Sequence, residues 1–410
     1  MSITLRENQV EPVRIGIEFL NTKKKTRPSI LVLPTAFGKS ICIAKIAEKV
    51  DGKVLVLQPS KELLAQNYEK YTMNGGTASV YSASFGKKEI SDVTFATLGS
   101  IKKMGAEFKE LGFTKLIMDE CDRFSREADG MLRVFVTEAA IPNVLGLTAT
   151  PFKLERGSFQ MQAFSYAKML TSHSKKRGDF FKDILYVAQI QEVTRLKYWS
   201  PIVYDIVEVD NKYLKYNTIG SEYTLESINI MYDEETIKWK ILGKINDNED
   251  RKSILIFVSD IEKAEELQSI IPKSEVLHSK LKKKERDRIV SGFKSMDIRI
   301  VINVTILSVG FDHPQLDCIV MARPTASISL YYQIIGRITR IHPDKKYGVV
   351  VDFSNNVRKF GRVEGFQFHK IKRSWHLFNE DDTQLTNVDV KMLEASKSNI
   401  INSNAEMVIN

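Results

Sequence analysis

Two series of apolar strand candidates, each alternating with helical stretches, constrain the fold of this chain more than any other feature. The first series is Ser29–Leu33, Lys53–Leu57, Val93–Ala96, Lys115–Met118 and Asn143–Leu147. The second series is Ser253–Val258, Ser274–Leu277, Arg299–Val304, Asp317–Met321 and Gly348–Asp352. Strands separated by helical crossovers pair in parallel. The sequence therefore predicts an α/β chain with two parallel-sheet lobes.

The length of 410 residues suits two domains better than one core. We expect a first lobe over 1–151, a linker with a small insertion over 152–250, a second lobe over 251–378 and a polar tail over 379–410. Within the middle segment, Pro201–Val209 is a candidate strand and Glu234–Ile245 a candidate helix. The predicted helix caps are Ser60 for Lys61–Tyr71, and Ser259 and Asp260 for Ile261–Ile270.

Composition excludes several classes of protein. No run of about 18 apolar residues occurs, and the first residues lack the apolar stretch of a signal peptide. Cys42, Cys121 and Cys318 lie far apart and form no CxxC pair, so we expect neither a disulfide framework nor a zinc module. These features predict a cytoplasmic protein without a membrane partner. The net charge of +9 favours a polyanion partner.

The segment Leu33-Pro-Thr-Ala-Phe-Gly-Lys-Ser40 joins a strand to a helix, which points backbone N–H groups at phosphates. Gly38 would allow close approach of the backbone, Lys39 would reach the β- and γ-phosphates, and the Ser40 hydroxyl would hold Mg²⁺. The full P-loop pattern has glycine where Leu33 stands. An ordinary strand–turn–helix is the alternative. The candidate nucleotide contacts are Pro34, Thr35, Ala36, Phe37, Gly38, Lys39 and Ser40.

The segment Asp119-Glu-Cys-Asp122 follows an apolar strand candidate. Carboxylates at the carboxyl end of a parallel strand face the ligand crevice. Asp119 would bind Mg²⁺ through water, and Glu120 would orient and deprotonate the attacking water. An acidic turn that caps a strand is the alternative, but the position after the Lys39 loop favours the catalytic interpretation.

Two further segments follow in order, Leu147-Thr-Ala-Thr-Pro151 and Gln333-Ile-Ile-Gly-Arg-Ile-Thr-Arg340. The four segments together resemble the superfamily 2 DExD/H-box helicases over roughly residues 1–360. The resemblance implies two RecA-like lobes, ATP and Mg²⁺ as cofactors, and a nucleic acid as partner. In that family Thr148 and Thr150 would couple the ATP site to the nucleic-acid site; a plain strand end is the alternative.

The resemblance also assigns residues near the start of the chain. Leu5-Arg-Glu-Asn-Gln9 resembles the Q-motif region, so Arg6 and Gln9 are candidate nucleotide contacts. The Gln9 amide presents a donor and an acceptor that would match the adenine edge, and a solvated helix start is the alternative.

Hydroxyl groups and helix starts in the first lobe sit where the family contacts a nucleic-acid backbone. A role as helix caps is compatible with that contact. The candidate residues are Ser60, Lys61, Thr97 and Ser100.

In the second lobe, Val304–Asp312 resembles motif five of the family. Gly310 and Asp312 would face the nucleotide, and Thr305 a backbone phosphate. The segment Leu277–Arg288 is strongly basic, either a solvated helix face or a nucleic-acid contact.

The segment Gln333–Arg340 supplies the remaining catalytic candidates, Gln333, Arg337 and Arg340. Arginine is planar and always charged, so it suits a phosphoryl group on which charge develops. We expect Arg337 and Arg340, three residues apart, to share one helix face and to complete the site when the lobes close. The family often has arginine where Ile334 stands. A surface helix with ordinary ion pairs is the alternative.

These residues predict a monomeric ATP-dependent DNA helicase or translocase that acts on forked, branched or single-stranded DNA through backbone contacts. The segments around Tyr332–Arg337 and Ile341–Lys345 resemble RadD-like and phage branch-migration (UvsW-like) helicases, which implies a bacterial or phage-infected host cytoplasm. The alternatives are a motor subunit of a restriction-type nuclease, an RNA helicase, or a nucleic-acid-binding protein whose ATP site is impaired at Ala36 and Phe37.

Overall fold

The structure is a computed structural model, and it describes residues 4–124, 126–159, 162–171, 179–218, 221–308, 311–389 and 393. The chain divides into two compact units. The first comprises residues 1–153, 169–189 and 370–375, and the second comprises residues 154–168, 190–369 and 376–410.

The strands are β1 Ser29–Val32, β2 Lys53–Gln58, β3 Ser79–Ser82, β4 Lys87–Lys88, β5 Val93–Thr97, β6 Phe113–Asp119, β7 Asn143–Thr148, β8 Phe152–Phe159, β9 Gln162–Met169, β10 Asp183–Val187, β11 Ile202–Ile206, β12 Ile254–Phe257, β13 Ser274–Leu277, β14 Ile300–Asn303, β15 Cys318–Met321, β16 Gly348–Asp352, β17 Gln367–Ile371 and β18 Ser374–Phe378. The helices are α1 Glu7–Asn21, α2 Lys39–Lys49, α3 Lys61–Met73, α4 Leu98–Ile101, α5 Gly105–Glu110, α6 Arg126–Glu138, α7 Ile190–Arg195, α8 Leu225–Glu234, α9 Ile237–Asp247, α10 Ile261–Ile270, α11 Lys283–Lys294, α12 Ile328–Ile335 and α13 Asn356–Phe360.

The first unit is built on an eight-stranded sheet in the order β10-β1-β7-β6-β2-β5-β3-β4. Its pairs are parallel except for the antiparallel edge strand β4. Apolar residues of the central strands, such as Leu31, Leu55 and Leu145, are fully buried. Helix α2 packs on both α1 and α3, and α5 packs on α6. Burial explains why these strands are continuous apolar runs.

The second unit contains a six-stranded parallel sheet in the order β11-β16-β15-β12-β14-β13. Its core joins the strands to α8, α9 and α10 through side chains such as Ile241, Ile256 and Leu267. Two-stranded ribbons form from β8 with β9 and from β17 with β18. The two parallel sheets confirm the predicted fold class, and all ten strand candidates are strands.

The predicted helix caps Ser60 and Asp260 are confirmed, whereas the Ser259 hydroxyl donates to Asn229 Oδ1 at 3.2 Å and caps no helix. The Ser60 hydroxyl accepts a hydrogen bond from Leu63 N at 3.3 Å at the start of α3. An Asp260 carboxylate oxygen accepts one from Lys263 N at 2.9 Å at the start of α10.

The segment 152–250, expected to be a linker with a small insertion, contributes strands to both sheets. Strand β10 pairs with β1 at the edge of the first sheet, and β11 pairs with β16 in the second. The predicted strand within Pro201–Val209 is confirmed by β11. The predicted helix Glu234–Ile245 corresponds to α9, which begins later because Glu234 ends α8 and Thr236 adopts a φ of 49° between the two helices. The domain boundaries themselves stay a prediction.

The start of the polar tail packs against the second unit. Leu385 N donates to Leu377 O at 2.8 Å, and both leucines are buried. Of the helices in the described part of the chain, none has the length and apolar character that a membrane span needs.

Candidate functional site

The strand order of the first sheet brings three predicted motifs to one edge. Strands β1 and β6 flank β7, and the three run in parallel, so their carboxyl ends are neighbours. The loop before Lys39 follows β1, the segment Asp119–Asp122 ends β6, and Thr148 ends β7. Parallel α/β sheets bind ligands at this edge.

The loop from Leu33 to Gly38 has the backbone of a phosphate-binding turn. Leu33 N donates to Thr148 O at 2.9 Å, which attaches the loop to β7. Ala36 has φ of +56° and Gly38 has φ of +91°. A Cβ atom at Gly38 would lie 2.5 Å from Gln9 Nε2, so only glycine fits there. Phe37 is buried, which explains how a bulky residue fits into this loop.

Gln9 holds the loop in place. Its Nε2 donates to Phe37 O at 2.6 Å, and its Oε1 accepts from Arg6 N at 2.9 Å. Gln9 is fully buried, and both polar atoms of its amide have protein partners. The structure thus places Gln9 against the phosphate loop and the Arg6 backbone against Gln9, and contact of either side chain with the nucleotide stays a prediction.

Lys39 begins α2, with Ser40 in the same first turn, and Lys39 points toward the acidic segment. Its Nζ lies 3.1 Å from Glu120 Oε1, and both side chains are largely buried. Glu120 adopts φ of +43° directly after β6. This left-handed conformation is costly for a residue with a Cβ atom, and such residues cluster at functional sites.

Asp119 lies next to this pair and is almost completely buried. One carboxylate oxygen accepts from Asn67 Nδ2 at 2.7 Å, and the other accepts from Glu120 N at 2.9 Å. Burial raises the pKa of Asp119 to about 6, aided by the Glu120 charge and opposed by Lys39 and Asn67. A cation would remove the cost of a buried negative charge. Nothing in the sequence singled out Asn67, because it lies in the middle of α3.

Asp122 joins the acidic segment to the threonines after β7. Its carboxylate accepts hydrogen bonds from the hydroxyl groups of Thr148 and Thr150, the latter at 2.9 Å. Thr150 N in turn donates to Thr148 Oγ1 at 2.9 Å. Burial, reinforced by the Glu120 charge, raises the pKa of Asp122 to about 6. The motif was recognised from the sequence, but this role of its fourth residue was not.

The residues at this edge fit a nucleotide with its metal ion. The positive end of α2, the tight loop and Lys39 suit phosphates. Ser40 and the buried Asp119 are oxygen donors of the kind Mg²⁺ takes. Among the described residues, no cluster of three or more His, Cys, Asp or Glu side chains could hold a metal ion. Mg²⁺ usually takes one or two protein ligands beside phosphates and waters.

Two predicted nucleic-acid contacts of the first unit, Thr97 and Ser100, lie in a cluster of hydroxyl groups further along the same edge, after β5 and β3. Thr97 Oγ1 lies 3.0 Å from Ser100 Oγ and 3.2 Å from Ser82 Oγ. Ser100 Oγ accepts from Ala83 N at 3.0 Å. Lys61 Nζ lies 5.7 Å from the centroid of the Phe85 ring. The structure therefore brings Lys61, Thr97 and Ser100 to one surface.

In the second unit, both predicted arginines contact the segment that resembles motif five. Arg340 Nε lies 2.5 Å from Asp312 Oδ1. Arg337 is buried and its Nη1 donates to Phe311 O at 2.7 Å. Burial lowers the pKa of Arg340, an effect that Asp312 opposes. Each guanidinium therefore has a partner within its own unit.

The expectation that the two arginines share a helix face is wrong. Helix α12 ends at Ile335 with Gly336 as its C-cap, so Gln333 lies on the helix and the arginines follow it. Arg337 N donates to Ile334 O at 3.1 Å, which is the bond of a turn. The chain leaves the helix here because the Gly336 turn buries Ile338, whose neighbour Arg337 then contacts Phe311 O.

One further predicted residue of this unit, Thr305, lies at the start of the same segment. Thr305 is exposed, with φ of +65°, and its hydroxyl donates to Val304 O at 2.7 Å. Gly310 lies outside the described residues. His313 is buried, and its Nε2 lies 2.8 Å from Ser253 Oγ. Burial lowers the pKa of His313 to about 4, aided by the charges of nearby lysines.

Family models match both halves of the chain. Residues 2–153 match the model described as "Type III restriction enzyme, res subunit". Residues 237–342 match the model described as "Helicase conserved C-terminal domain". The chain belongs to the superfamily 2 helicases. This confirms the family inferred from the sequence and, at the level of the family, the expected ATP-hydrolysing enzyme class. Placement of this helicase next to the RadD-like and UvsW-like branches stays a prediction.

Two curated relatives of this helicase align over most of its length. A 51.5 kDa protein of a Lactococcus phage is 23% identical over 326 residues, which are 78% of this chain and 64% of that protein. The DNA 3′–5′ translocase XPB2 of Sulfurisphaera tokodaii is 24% identical over 380 residues, which are 82% of this chain and 79% of that protein. The helicase spans less than two thirds of the phage protein, and only 30% and 43% of two yeast ATP-dependent helicases.

Among solved structures, the helicase shares its fold with the ATP-dependent Type ISP restriction-modification enzyme LlaBIII bound to DNA. The TM-score is 0.59 at 16% identity, over 86% of this chain and 28% of that chain. At this identity the similarity establishes the fold alone.

Proposed function

We propose that this helicase is an ATP-dependent DNA translocase that unwinds or remodels forked or branched DNA. The observation that carries the proposal is the arrangement of Lys39, Glu120 and Asp119 at one edge of a parallel sheet, with the hydroxyl cluster around Thr97 further along that edge. The first group suits nucleotide chemistry and the second suits backbone phosphates. The net charge of +9 supports a polyanion partner.

In the proposed reaction, the loop before Lys39 binds the phosphates of ATP, and Lys39 neutralises charge on the β- and γ-phosphates. Ser40 and Asp119 would hold Mg²⁺, which would supply positive charge against the phosphate oxygens. Glu120 orients the attacking water and accepts its proton. Asn67 keeps the Asp119 carboxylate in position through its 2.7 Å hydrogen bond. Gln333, Arg337 and Arg340 are proposed to stabilise the phosphoryl group that is transferred.

Coupling between nucleotide and DNA rests in this proposal on Asp122. Its hydrogen bonds to Thr148 and Thr150 make the end of β6 and the segment after β7 one connected piece. A change at Glu120 is therefore transmitted to the backbone after β7. Nucleic acid is proposed to contact the helicase through Ser60, Lys61, Thr97, Ser100 and Thr305.

A panel of ATPase assays tests this proposal. The helicase alone is compared with single-stranded, duplex, forked and four-way DNA, and with single-stranded RNA. We expect DNA to stimulate hydrolysis, with forks or junctions most effective. Stimulation by RNA alone would contradict the DNA assignment, and no stimulation by any nucleic acid would contradict the translocase itself.

The match of residues 2–153 to a restriction-enzyme subunit model favours one second candidate, a motor subunit of a restriction-type nuclease. In that case the helicase would translocate on DNA and a partner subunit would cleave it. Incubation of supercoiled plasmid with the helicase, ATP and Mg²⁺, with and without host extract, distinguishes the two. Cleavage that depends on both ATP and extract would support the second candidate.

A further inference from the structure

The hairpin of β17 and β18 presents a basic tip. Its two-residue loop is Lys372–Arg373, and the strand before it ends with Lys370 and Ile371. Residues 365–379 contain three Lys or Arg and two His but no Asp or Glu. The five residues from His369 to Arg373 are all exposed. Cations and one apolar side chain, Ile371, are thus concentrated at the end of one ribbon.

The base of the hairpin is anchored. Phe368 and Leu377 are buried, and the His369 and Phe378 rings lie 5.4 Å apart. Leu377 N donates to the Thr386 hydroxyl at 2.9 Å. A lone two-stranded ribbon is marginally stable in water. This anchoring therefore gives the tip a defined support.

The cations of the tip form no ion pairs with the part of the chain that the structure describes. Lys370 Nζ lies 5.9 Å from the centroid of the Trp375 ring across the hairpin. Several basic side chains of the second unit are instead paired, for example Arg358 with Glu208 and Lys244 with Asp205. Lys370, Lys372 and Arg373 are therefore available to an external anion.

The loop backbone favours a functional reason for these charges. Lys372 adopts φ of +55°, a conformation that glycine or asparagine usually fills in two-residue hairpin loops. A residue with a Cβ atom there costs about 1 kcal/mol or more. Because asparagine or glycine would stabilise this loop better, a lysine at this position is not explained by folding alone.

We propose that this hairpin is a nucleic-acid contact in addition to the motif residues, in which Lys370, Lys372 and Arg373 bind backbone phosphates. Ile371 then lies against a sugar or an unstacked base, as apolar tips do in other nucleic-acid complexes. The proposal rests on the proposed function, because it takes DNA as the partner. The ligand that the hairpin would bind is a polyanion with repeated phosphates that also offers apolar surface.

The test is the salt dependence of DNA binding, measured by fluorescence anisotropy with a labelled fork. Each phosphate contact adds about 0.9 to the slope of log affinity against log salt on duplex DNA. We expect Lys370→Ala/Lys372→Ala/Arg373→Ala to lower the slope by about 2 to 3. Lys372→Gly/Arg373→Ser removes two charges and places glycine at the positive-φ position of the loop, so it should lower the slope by about 1 to 2 without loss of thermal stability.

The matched control is Lys23→Ala/Lys24→Ala/Lys25→Ala, which removes the same charge from an exposed loop. This loop precedes β1 and so lies at the amino ends of the parallel strands of the first sheet. We expect its slope to stay near that of the wild type. Equal slopes in wild type and hairpin variants would overturn the proposal, as would an equal fall in the control, since that reports net charge alone. Loss of binding to polyglutamate with an unchanged DNA slope would indicate an acidic protein partner instead. DNA stimulation of wild-type ATP hydrolysis, measured separately, tests the proposed function.

Discussion

Lys39 Nζ lies 3.1 Å from Glu120 Oε1, so the cation proposed for the phosphates and the carboxylate proposed for the water neutralise each other. Phosphates that bind at Lys39 must compete with this carboxylate. We therefore expect binding of ATP to release Glu120 for its proposed role with water. The ion pair also holds the loop after β1 and the end of β6 in position.

The first prediction separates binding from hydrolysis. Glu120→Gln removes the competing charge and the general base together. We expect ATP affinity to be equal or higher and turnover to fall by about 10²–10⁴-fold. Lys39→Ala should lose both ATP affinity and ATP turnover. Nucleotide binding by a fluorescent ATP analogue and steady-state ATPase measure the two effects, with the exposed Glu110→Gln as control. Unchanged turnover in Glu120→Gln would contradict the assignment.

A second prediction concerns the amide that holds the phosphate loop. Gln9→Glu keeps the acceptor for Arg6 N but places a carboxylate against Phe37 O, where a donor stood at 2.6 Å. We expect the affinities for ATP and GTP to fall together, on the order of tenfold, because loss of one buried hydrogen bond costs about 1–3 kcal/mol. Isothermal titration measures both, with exposed Glu7→Gln as control. A fall for ATP alone would show instead that Gln9 selects the base.

Two neighbouring loop positions should respond in opposite directions. Ala36→Gly relieves a φ of +56° and is expected to raise the thermal midpoint slightly while ATP turnover is kept. Gly38→Ala places a Cβ atom 2.5 Å from Gln9 Nε2 at a φ of +91°, and is expected to lose nucleotide binding. Thermal unfolding and ATPase assays measure both. A stabilised, fully active Gly38→Ala would show that the loop adopts another conformation.

The two arginines should differ in their effect on folding. Arg340→Ala removes the partner of the half-exposed Asp312, so the fold should persist while DNA-stimulated hydrolysis falls, by up to about 10³–10⁵-fold if it acts as an arginine finger. Arg337→Ala also removes a buried donor to Phe311 O and should destabilise the second unit by about 1–3 kcal/mol. Denaturation curves beside ATPase assays separate the effects. Full stimulation in both variants would contradict a role in hydrolysis.

Acid should destabilise the second unit through His313. Its pKa is lowered to about 4 by burial, whereas an unfolded histidine titrates near about 6.5. Between these values the unfolded chain binds more protons, so this stability contribution is complete above about pH 6.5 and is lost as the pH falls toward 4. His313→Gln should flatten the pH dependence of the thermal midpoint in this window. The exposed His369→Gln is the control, and identical profiles for wild type and His313→Gln would contradict the assignment.

Much of the fold was predictable because buried parallel strands are continuous apolar runs. Strands such as Val93–Thr97 and Ile300–Asn303 were identified in this way. Strand β10 was not predictable in this way, because Asp183–Val187 is an edge strand that pairs along one side only. Its residues are half-buried and do not form a continuous apolar run. Its place depends on β1, which lies more than 150 residues earlier in the chain.

The parts of the site that come directly after strands were predictable from the sequence. Lys39 and Glu120 were assigned from loops that follow apolar runs, and they lie 3.1 Å apart. The role of Asn67 was not predictable, because its contact with Asp119 depends on where α3 packs on the sheet. The turn at Arg337 was also missed, because helix periodicity predicts continuation of α12 and gives no warning of the Gly336 end.

The bonds between the tail and β18 have a consequence for solubility. Leu385 N donates to Leu377 O, and the Thr386 hydroxyl accepts from Leu377 N, so this strand's outer edge is covered by its own chain. An uncovered strand edge pairs readily with strands of other molecules. A chain cut after Phe378 would expose this edge, and self-association through it would compete with every interaction that the free hairpin makes.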